Sequence, residues 1–349
     1  MPTIPVDDNG RELYYEDTGA PETSTGDYTT VVFLHGLGVN SASYRPLFPF
    51  APSHNARFVT VNSREYSGSS KFRPDELESL TTGNKDEQAA VISGLGTELA
   101  VFLFRFIQLR EIPAVTRNPD GSQSGGVVFV TWSFGCVTLL SLLAHASDLP
   151  QDIRAGLEGY LRMVVAYDGS LTSFGGPPPE GLYTPFRDPS IPPEHKFSHF
   201  MLLASAYQDP VDNLDHVSIP LLQSRTAIRE PTFKTLTASD HETISEPSAF
   251  LAWRRILPLV DVLHENTTRA YLNPSGVWKD VQLRVLWTDS SAWPLMAAAK
   301  WLKDRTEEWD RASNSQTRQA RFTKIENANH FVHWDEPERF TNILMSVLQ

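Results

Sequence analysis

The stretch that most constrains this chain runs from Val127 to Ala144. An apolar tetrad, Val127-Val128-Phe129-Val130, delivers Thr131-Trp132-Ser133-Phe134-Gly135 to a second apolar run, Val137 to Ala144. β-Branched and aromatic residues read as a buried strand, and the run that follows reads as a helix packed against it. A strand joined so directly to a helix needs a sharp turn, and Ser133 stands at its tip. Small residues two before and two after the serine let the backbone turn, so the hydroxyl projects above the sheet while the helix N-terminus points at it. A serine held there is placed to attack. Thr131 is the unusual member, because a β-branched residue fits the first small position only if it keeps ordinary strand dihedrals.

The rest of the chain repeats the same grammar. Glu12 to Glu16 alternates like an edge strand, while Thr30 to Leu34, Arg57 to Val61, Leu161 to Tyr167, Leu283 to Trp287 and Arg321 to Ile325 read as further strands. A helical pattern spans about Asp86 to Gln108, and a Pro/Gly/Ser-rich loop from Ile112 to Gly126 leads into the elbow strand. Strands alternating with helices imply an α/β fold with a mostly parallel, doubly wound sheet covered on both faces. Between Gly169 and Asp280 the character changes: Pro177-Pro178-Pro179, Pro189, Pro192-Pro193 and Pro210 punctuate segments rich in Phe, Tyr, Leu and Met. This reads as a mainly helical lid inserted after the sixth strand, over the strand ends where open α/β sheets bind ligands. The expected division is therefore a core of residues 1–168 and 281–349 and a lid of residues 169–280.

A chain of 349 residues exceeds the usual single domain, which one core plus one insertion accommodates. With 40 % hydrophobic and 21 % charged residues it has material for a substantial core and is too balanced for disorder. A net charge of −12 without a basic cluster argues against nucleic acid or an anionic membrane as partner and leaves a small molecule. The single cysteine, Cys136, cannot form an internal disulfide, which suits a reducing compartment. No basic segment followed by an apolar run opens the chain, so the expectation is a cytoplasmic protein without a signal peptide or membrane span. Oligomeric state is not legible.

A serine hydroxyl is a poor nucleophile at neutral pH until a positioned imidazole takes its proton. Of ten histidines, His330 follows the last strand in a loop of small polar residues, Glu326 to Asn329, just before the final helix. In a doubly wound sheet that loop reaches the elbow, and the order serine then histidine is the one this architecture uses. His333 falls within the helix, and His35 reads as structural. His195 and His199 have a metal-like i, i+4 spacing but no carboxylate motif beside them, so no metal site is expected. Gly36-Leu37-Gly38 is too short for a dinucleotide fingerprint, and no cofactor is implied.

These residues together resemble the α/β-hydrolase superfamily across nearly the whole chain, and within it fungal-type hydrolases of secondary metabolism. His35-Gly36-Leu37-Gly38 is similar to the family's His-Gly oxyanion loop. Asn62-Ser63-Arg64-Glu65-Tyr66-Ser67-Gly68-Ser69 resembles its Arg-Gly-x-Gly-x-Ser loop, with Glu65 as a departure, and the Ser133 and His330 segments match its nucleophile and base motifs. The resemblance implies that the backbone N–H groups of Leu37 and Phe134 form the oxyanion hole. Gly36 and Trp132 are candidate substrate contacts, although Trp132 also reads as core packing beside the elbow.

A carboxylate should orient His330, and two compete. Asp289 follows the strand Leu283–Trp287, the usual location, but the family pattern puts its acid later in the turn, where Ser290 and Ser291 stand. Asp168 ends the strand Leu161–Tyr167, a position resembling that of the acid in some haloalkane dehalogenases. A serine cannot replace the aspartate nucleophile of dehalogenases and epoxide hydrolases, whose ester is hydrolysed at its own carbonyl. The expected chemistry is instead acyl transfer through an acyl-Ser133, from an ester, lactone, thioester or activated ketone of a medium-sized apolar molecule to water. Acyl transfer to an alcohol or amine, C–C bond hydrolysis, and a non-catalytic ligand-binding role are the alternatives.

Overall fold

Eight strands share one sheet: β1 (Thr3–Pro5), β2 (Glu12–Asp17), β3 (Thr29–Leu34), β4 (Ala56–Val61), β5 (Val127–Trp132), β6 (Leu161–Tyr167), β7 (Gln282–Thr288) and β8 (Ala320–Ile325). Their spatial order is β1-β2-β4-β3-β5-β6-β7-β8. From β4 to β8 every pairing is parallel, and β1 and β2 form an antiparallel edge. The computed structural model describes residues 2–22, 24, 26–117, 122–312 and 317–348; part of the loop expected over 112–126 therefore lies outside the described residues.

Parallel strands have to be covered on both faces, and every residue of β3, β4, β5 and β6 is buried. Period-2 alternation splits β5 between two cores. Val127 and Phe129 join the helices Lys85–Leu109 and Cys136–Ala144 on one face, whereas Val128, Val130 and Trp132 join Tyr44, Phe340 and Leu344 on the other.

The helix Lys85–Leu109 starts at a capping box, in which Asn84 Oδ1 accepts from the amides of Asp86 and Glu87 while Glu87 reaches back to the Asn84 amide. By length and composition alone it could cross a membrane, yet 61 % of its apolar window is buried inside the protein. Its apolarity is that of a core helix.

Between β6 and β7 the chain forms six α-helices, Lys196–Ala204, Ile219–Ser224, Thr232–Thr235, Ala238–Ile244, Pro247–Trp253 and Val260–Leu272, with short 3-10 turns among them. Pro220 and Pro247 sit in first turns, where a missing N–H costs nothing. Not all of this segment is helical: Tyr207–Gln208 and Ala227–Arg229 pair as a short antiparallel ribbon. Its last helix, Val260–Leu272, packs on Cys136–Ala144 and so extends the layer that covers the sheet.

Candidate active site

The elbow is built by steric exclusion at three glycines and a serine. Ser133 has φ of +56°, a left-handed conformation that non-glycine residues seldom adopt. A Cβ on Gly135 would lie 2.5 Å from the carbonyl oxygen of His35, and one on Gly36 would lie 2.8 Å from Ser133 Cβ. The turn therefore presses against the loop after β3, and only glycine lets the two backbones meet. Gly38 has φ of +88° and completes that loop. Thr131 keeps its place in the ladder, opposite Leu34 on one side and Ala166 on the other, which is why a β-branched residue is tolerated there.

Two partners fix the loop after β3. His35 Nδ1 lies 2.8 Å from the Gly36 carbonyl, and the Ser63 amide donates to Nε2 at 3.0 Å. An acceptor at one nitrogen and a donor at the other require the neutral Nδ1–H tautomer. Full burial agrees, holding the His35 pKa down at about 4. The Tyr66 hydroxyl accepts from the Gly38 amide at 2.9 Å and donates to the Gly36 carbonyl at 3.4 Å, a clamp that sequence reasoning missed. Glu65, which stands where the family loop has glycine, has φ of +74°, and its carboxylate accepts from the Phe72 amide at 2.6 Å. That bond compensates a backbone strained for a non-glycine residue. Neither the Leu37 nor the Phe134 amide is engaged by another group among the described residues, and both residues line the cavity in front of Ser133.

His330 meets one of the two competing carboxylates. Its Nδ1 lies 2.7 Å from Asp168 Oδ2, with both side chains buried. Asp168, itself at φ of +44°, also accepts from Ser291 Oγ at 2.9 Å and, through Oδ1, from the Thr288 amide at 3.2 Å. Asp289 is not brought to His330. Its Oδ1 accepts from Ser290 Oγ at 2.9 Å and from the Ala328 amide at 3.3 Å, so it pins the loop that carries the histidine. Ser291, in the turn where the family pattern has its acid, instead helps to hold the carboxylate of the neighbouring strand.

The loop is held from below as well. Asn329 Nδ2 donates to the Ser205 carbonyl at 2.7 Å and to Thr232 Oγ1 at 3.0 Å, while the Tyr167 hydroxyl donates to the His330 carbonyl. Ser133 Oγ and His330 Nε2 are both without a hydrogen-bond partner among the described residues; catalytic hydrogen bonds commonly tighten only around a substrate.

Trp132 and Gly36 do not line the cavity, which corrects the expectation that they contact substrate. Trp132 points to the sheet face opposite Phe129. There it lies between His330, His333, Tyr44 and Phe331, and its indole N–H is 3.1 Å from His330 Nδ1. Gly36 packs against the elbow, where an added Cβ would meet the Trp132 ring at 3.3 Å as well as Ser133. His333 is buried against Trp132 and Tyr44, with Nδ1 at 3.2 Å from the Tyr167 hydroxyl, and burial pushes its pKa well below the usual imidazole value. The cavity itself encloses about 680 Å³. Ser133, Leu37 and Phe134 form its floor, and its walls include Leu171, Phe186, Phe200, Leu257 and Trp293. Among the described residues no group of three His, Cys, Asp or Glu side chains is disposed to hold a metal ion.

Comparison with known proteins gives a consistent picture. A family model described as "Alpha/beta hydrolase family" matches residues 31–343. No curated protein matches the sequence. Among solved structures, a bromoperoxidase from Bacillus anthracis is similar at 12 % identity with a TM-score of 0.52, the match covering 99 % of each chain. An esterase from Exiguobacterium antarcticum is similar at 14 % identity with a TM-score of 0.52, covering 100 % of this chain and 99 % of the other. Likeness at that identity speaks for the fold alone.

Proposed function

The chain belongs to the alpha/beta hydrolase family, and from that premise we propose that it is a serine hydrolase. It would cleave an ester, lactone, thioester or activated ketone of a medium-sized apolar molecule through an acyl-serine intermediate. The observation that carries this reading is the 2.7 Å contact between Asp168 and His330, a histidine that touches Trp132 immediately before the elbow serine. A proton on Nδ1 directed at Asp168 leaves Nε2 as the base.

In the reaction, Ser133 Oγ adds to the acyl carbon as His330 Nε2 takes its proton. The oxygen of the tetrahedral intermediate gains negative charge next to the Leu37 and Phe134 amides, each such donor being worth about 3 kcal/mol in the transition state. Collapse breaks the bond to the leaving group, which His330 protonates. Water then adds to the acyl-enzyme, giving up its proton to His330, and a second collapse releases the acid and restores Ser133. Asp168 stabilises the imidazolium in both halves. The same reading takes residues 169–280 as the lid that shapes the apolar pocket and a reducing, cytoplasmic compartment as the setting for Cys136.

Exposure of the protein to a fluorophosphonate at neutral pH, followed by intact-protein mass spectrometry, tests this. One adduct is expected, located on Ser133 and lost in Ser133→Ala and His330→Ala, whereas His333→Ala still labels. An unlabelled wild-type protein, or labelling that depends on His333 and not on His330, refutes the reading.

A further inference from the structure

Among the described residues three cations line the cavity above Ser133 and no carboxylate does: Arg187, Lys196 and Arg254. This is unexpected in a chain where 42 acidic residues outnumber 30 basic ones. The side chains of Arg187 and Arg254 make neither an ion pair nor a hydrogen bond among the described residues. Lys196 donates to the backbone carbonyls of Pro185 and Asp188, one on each side of Arg187 in the chain, which ties the two cations to one turn through neutral acceptors. The nearest acid in sequence, Asp188, is occupied by the amide and hydroxyl of Ser190. Among the described residues its carboxylate forms no ion pair with any of the three, although its charge is felt at Lys196.

Positive charges confined to an otherwise apolar, partly enclosed wall attract an anion more strongly than they would in open water. Guanidinium groups also offer planar, paired donors that match a carboxylate or phosphate. We infer that the substrate of Ser133 is an acyl compound with an apolar body and a carboxylate or phosphate group remote from the scissile carbonyl, held by Arg187, Arg254 and Lys196. This rests on the serine-hydrolase reading for its chemistry, though the anion site itself can be measured without turnover. Neutral esters of the same size would fill the cavity yet leave the cations unpaired.

The test is calorimetric titration of the full chain carrying Ser133→Ala, which cannot hydrolyse its ligand. Monomethyl suberate is compared with dimethyl suberate, and octyl phosphate with 1-octanol. In at least one pair the anion should bind about tenfold or more tightly than its neutral counterpart, as expected for charge-assisted hydrogen bonds. The pair that responds identifies carboxylate or phosphate. Arg187→Gln with Arg254→Gln should bring the ratio close to one, and added salt should reduce it; both arginines are exposed and unpaired, so the substitutions spare the fold. Equal binding within both pairs, or a preference that survives the double substitution, overturns the inference. A Ser133 that takes up fluorophosphonate while the titration shows no preference removes the anion site and leaves the hydrolase reading intact. An unlabelled Ser133 alongside a preference does the converse.

Discussion

Replacing Asp168 by asparagine should cost about four orders of magnitude in kcat, and the hydrogen bonds around it show why. In the native arrangement Oδ2 faces His330 Nδ1 at 2.7 Å and Oδ1 accepts from the Thr288 amide at 3.2 Å. An asparagine must keep its oxygen toward that amide donor, which turns its NH₂ group toward His330. Nδ1 then has two donors against it, because the Trp132 indole N–H already lies 3.1 Å away. Two donors converging on one ring nitrogen remove its proton and place it on Nε2, where the lone pair that should accept the Ser133 proton is lost. The wrong tautomer accounts for about 10⁴ in the corresponding substitution of a serine triad, which is about 5 kcal/mol of activation free energy at 1.36 kcal/mol per decade. Asp289→Asn is the internal control. Its Oδ1 retains the Ser290 and Ala328 contacts, so the expected cost is about 1 kcal/mol of stability with kcat within about tenfold of the parent. The assay is p-nitrophenyl ester hydrolysis together with the rate of fluorophosphonate labelling. A fully active Asp168→Asn, or an Asp289→Asn as damaged as Asp168→Asn was expected to be, refutes the assignment.

Acid should unfold the protein through buried imidazoles. His35 is held neutral with a pKa of about 4 and His333 is held neutral well below the usual value. In the unfolded chain both return to about 6.5. Between these limits the unfolded state binds two more protons than the native state, so stability falls as pH drops, by about 2.7 kcal/mol from pH 7.5 to 5.5; urea midpoints that do not move over that range contradict the account. Gly135→Ala places a methyl group 2.5 Å from the His35 carbonyl. Overpacking of this kind costs about 1–3 kcal/mol and displaces the oxyanion loop, so both a lower melting temperature and slower labelling are expected, and an unchanged melting curve would show that the elbow yields freely.

Much of this was legible in the sequence because it is local. The tetrad Val127–Val130 reads as a buried strand from residue type alone, and the observed strand extends two residues further, to Trp132. The placing of the His330 loop beside the elbow was legible because a polar loop after the last strand has few places to go in a doubly wound sheet. The short edge strand Thr3–Pro5 and the ribbon joining Tyr207–Gln208 to Ala227–Arg229 were not. Two- and three-residue strands carry too few side chains to show a period, and only pairing defines them. Likewise the Tyr66 clamp on the loop after β3 joins residues 28 and 30 positions apart, and nothing at either end marks a tyrosine as a clamp rather than as core.

Which aspartate meets His330 was the hardest element to read, for a reason specific to parallel sheets. β6 and β7 are hydrogen-bonded neighbours, with Leu286 opposite Tyr167. Their C-terminal ends therefore open side by side below the same histidine. A carboxylate at either end can reach the same imidazole, and the sequence of one strand says nothing about which end supplies it. What separates the two here is the set of donors. Asp168 meets Ser291, the Thr288 amide and His330, all converging from the β7 turn and the base loop. Asp289 meets Ser290 and the Ala328 amide, which lock it to the backbone of that loop. Where the family pattern has its acid stands a serine whose hydroxyl donates to the aspartate of the neighbouring strand. A hydroxyl donor after β7 is thus aimed at the aspartate that ends β6, and that pairing is a signal that could be sought in sequence.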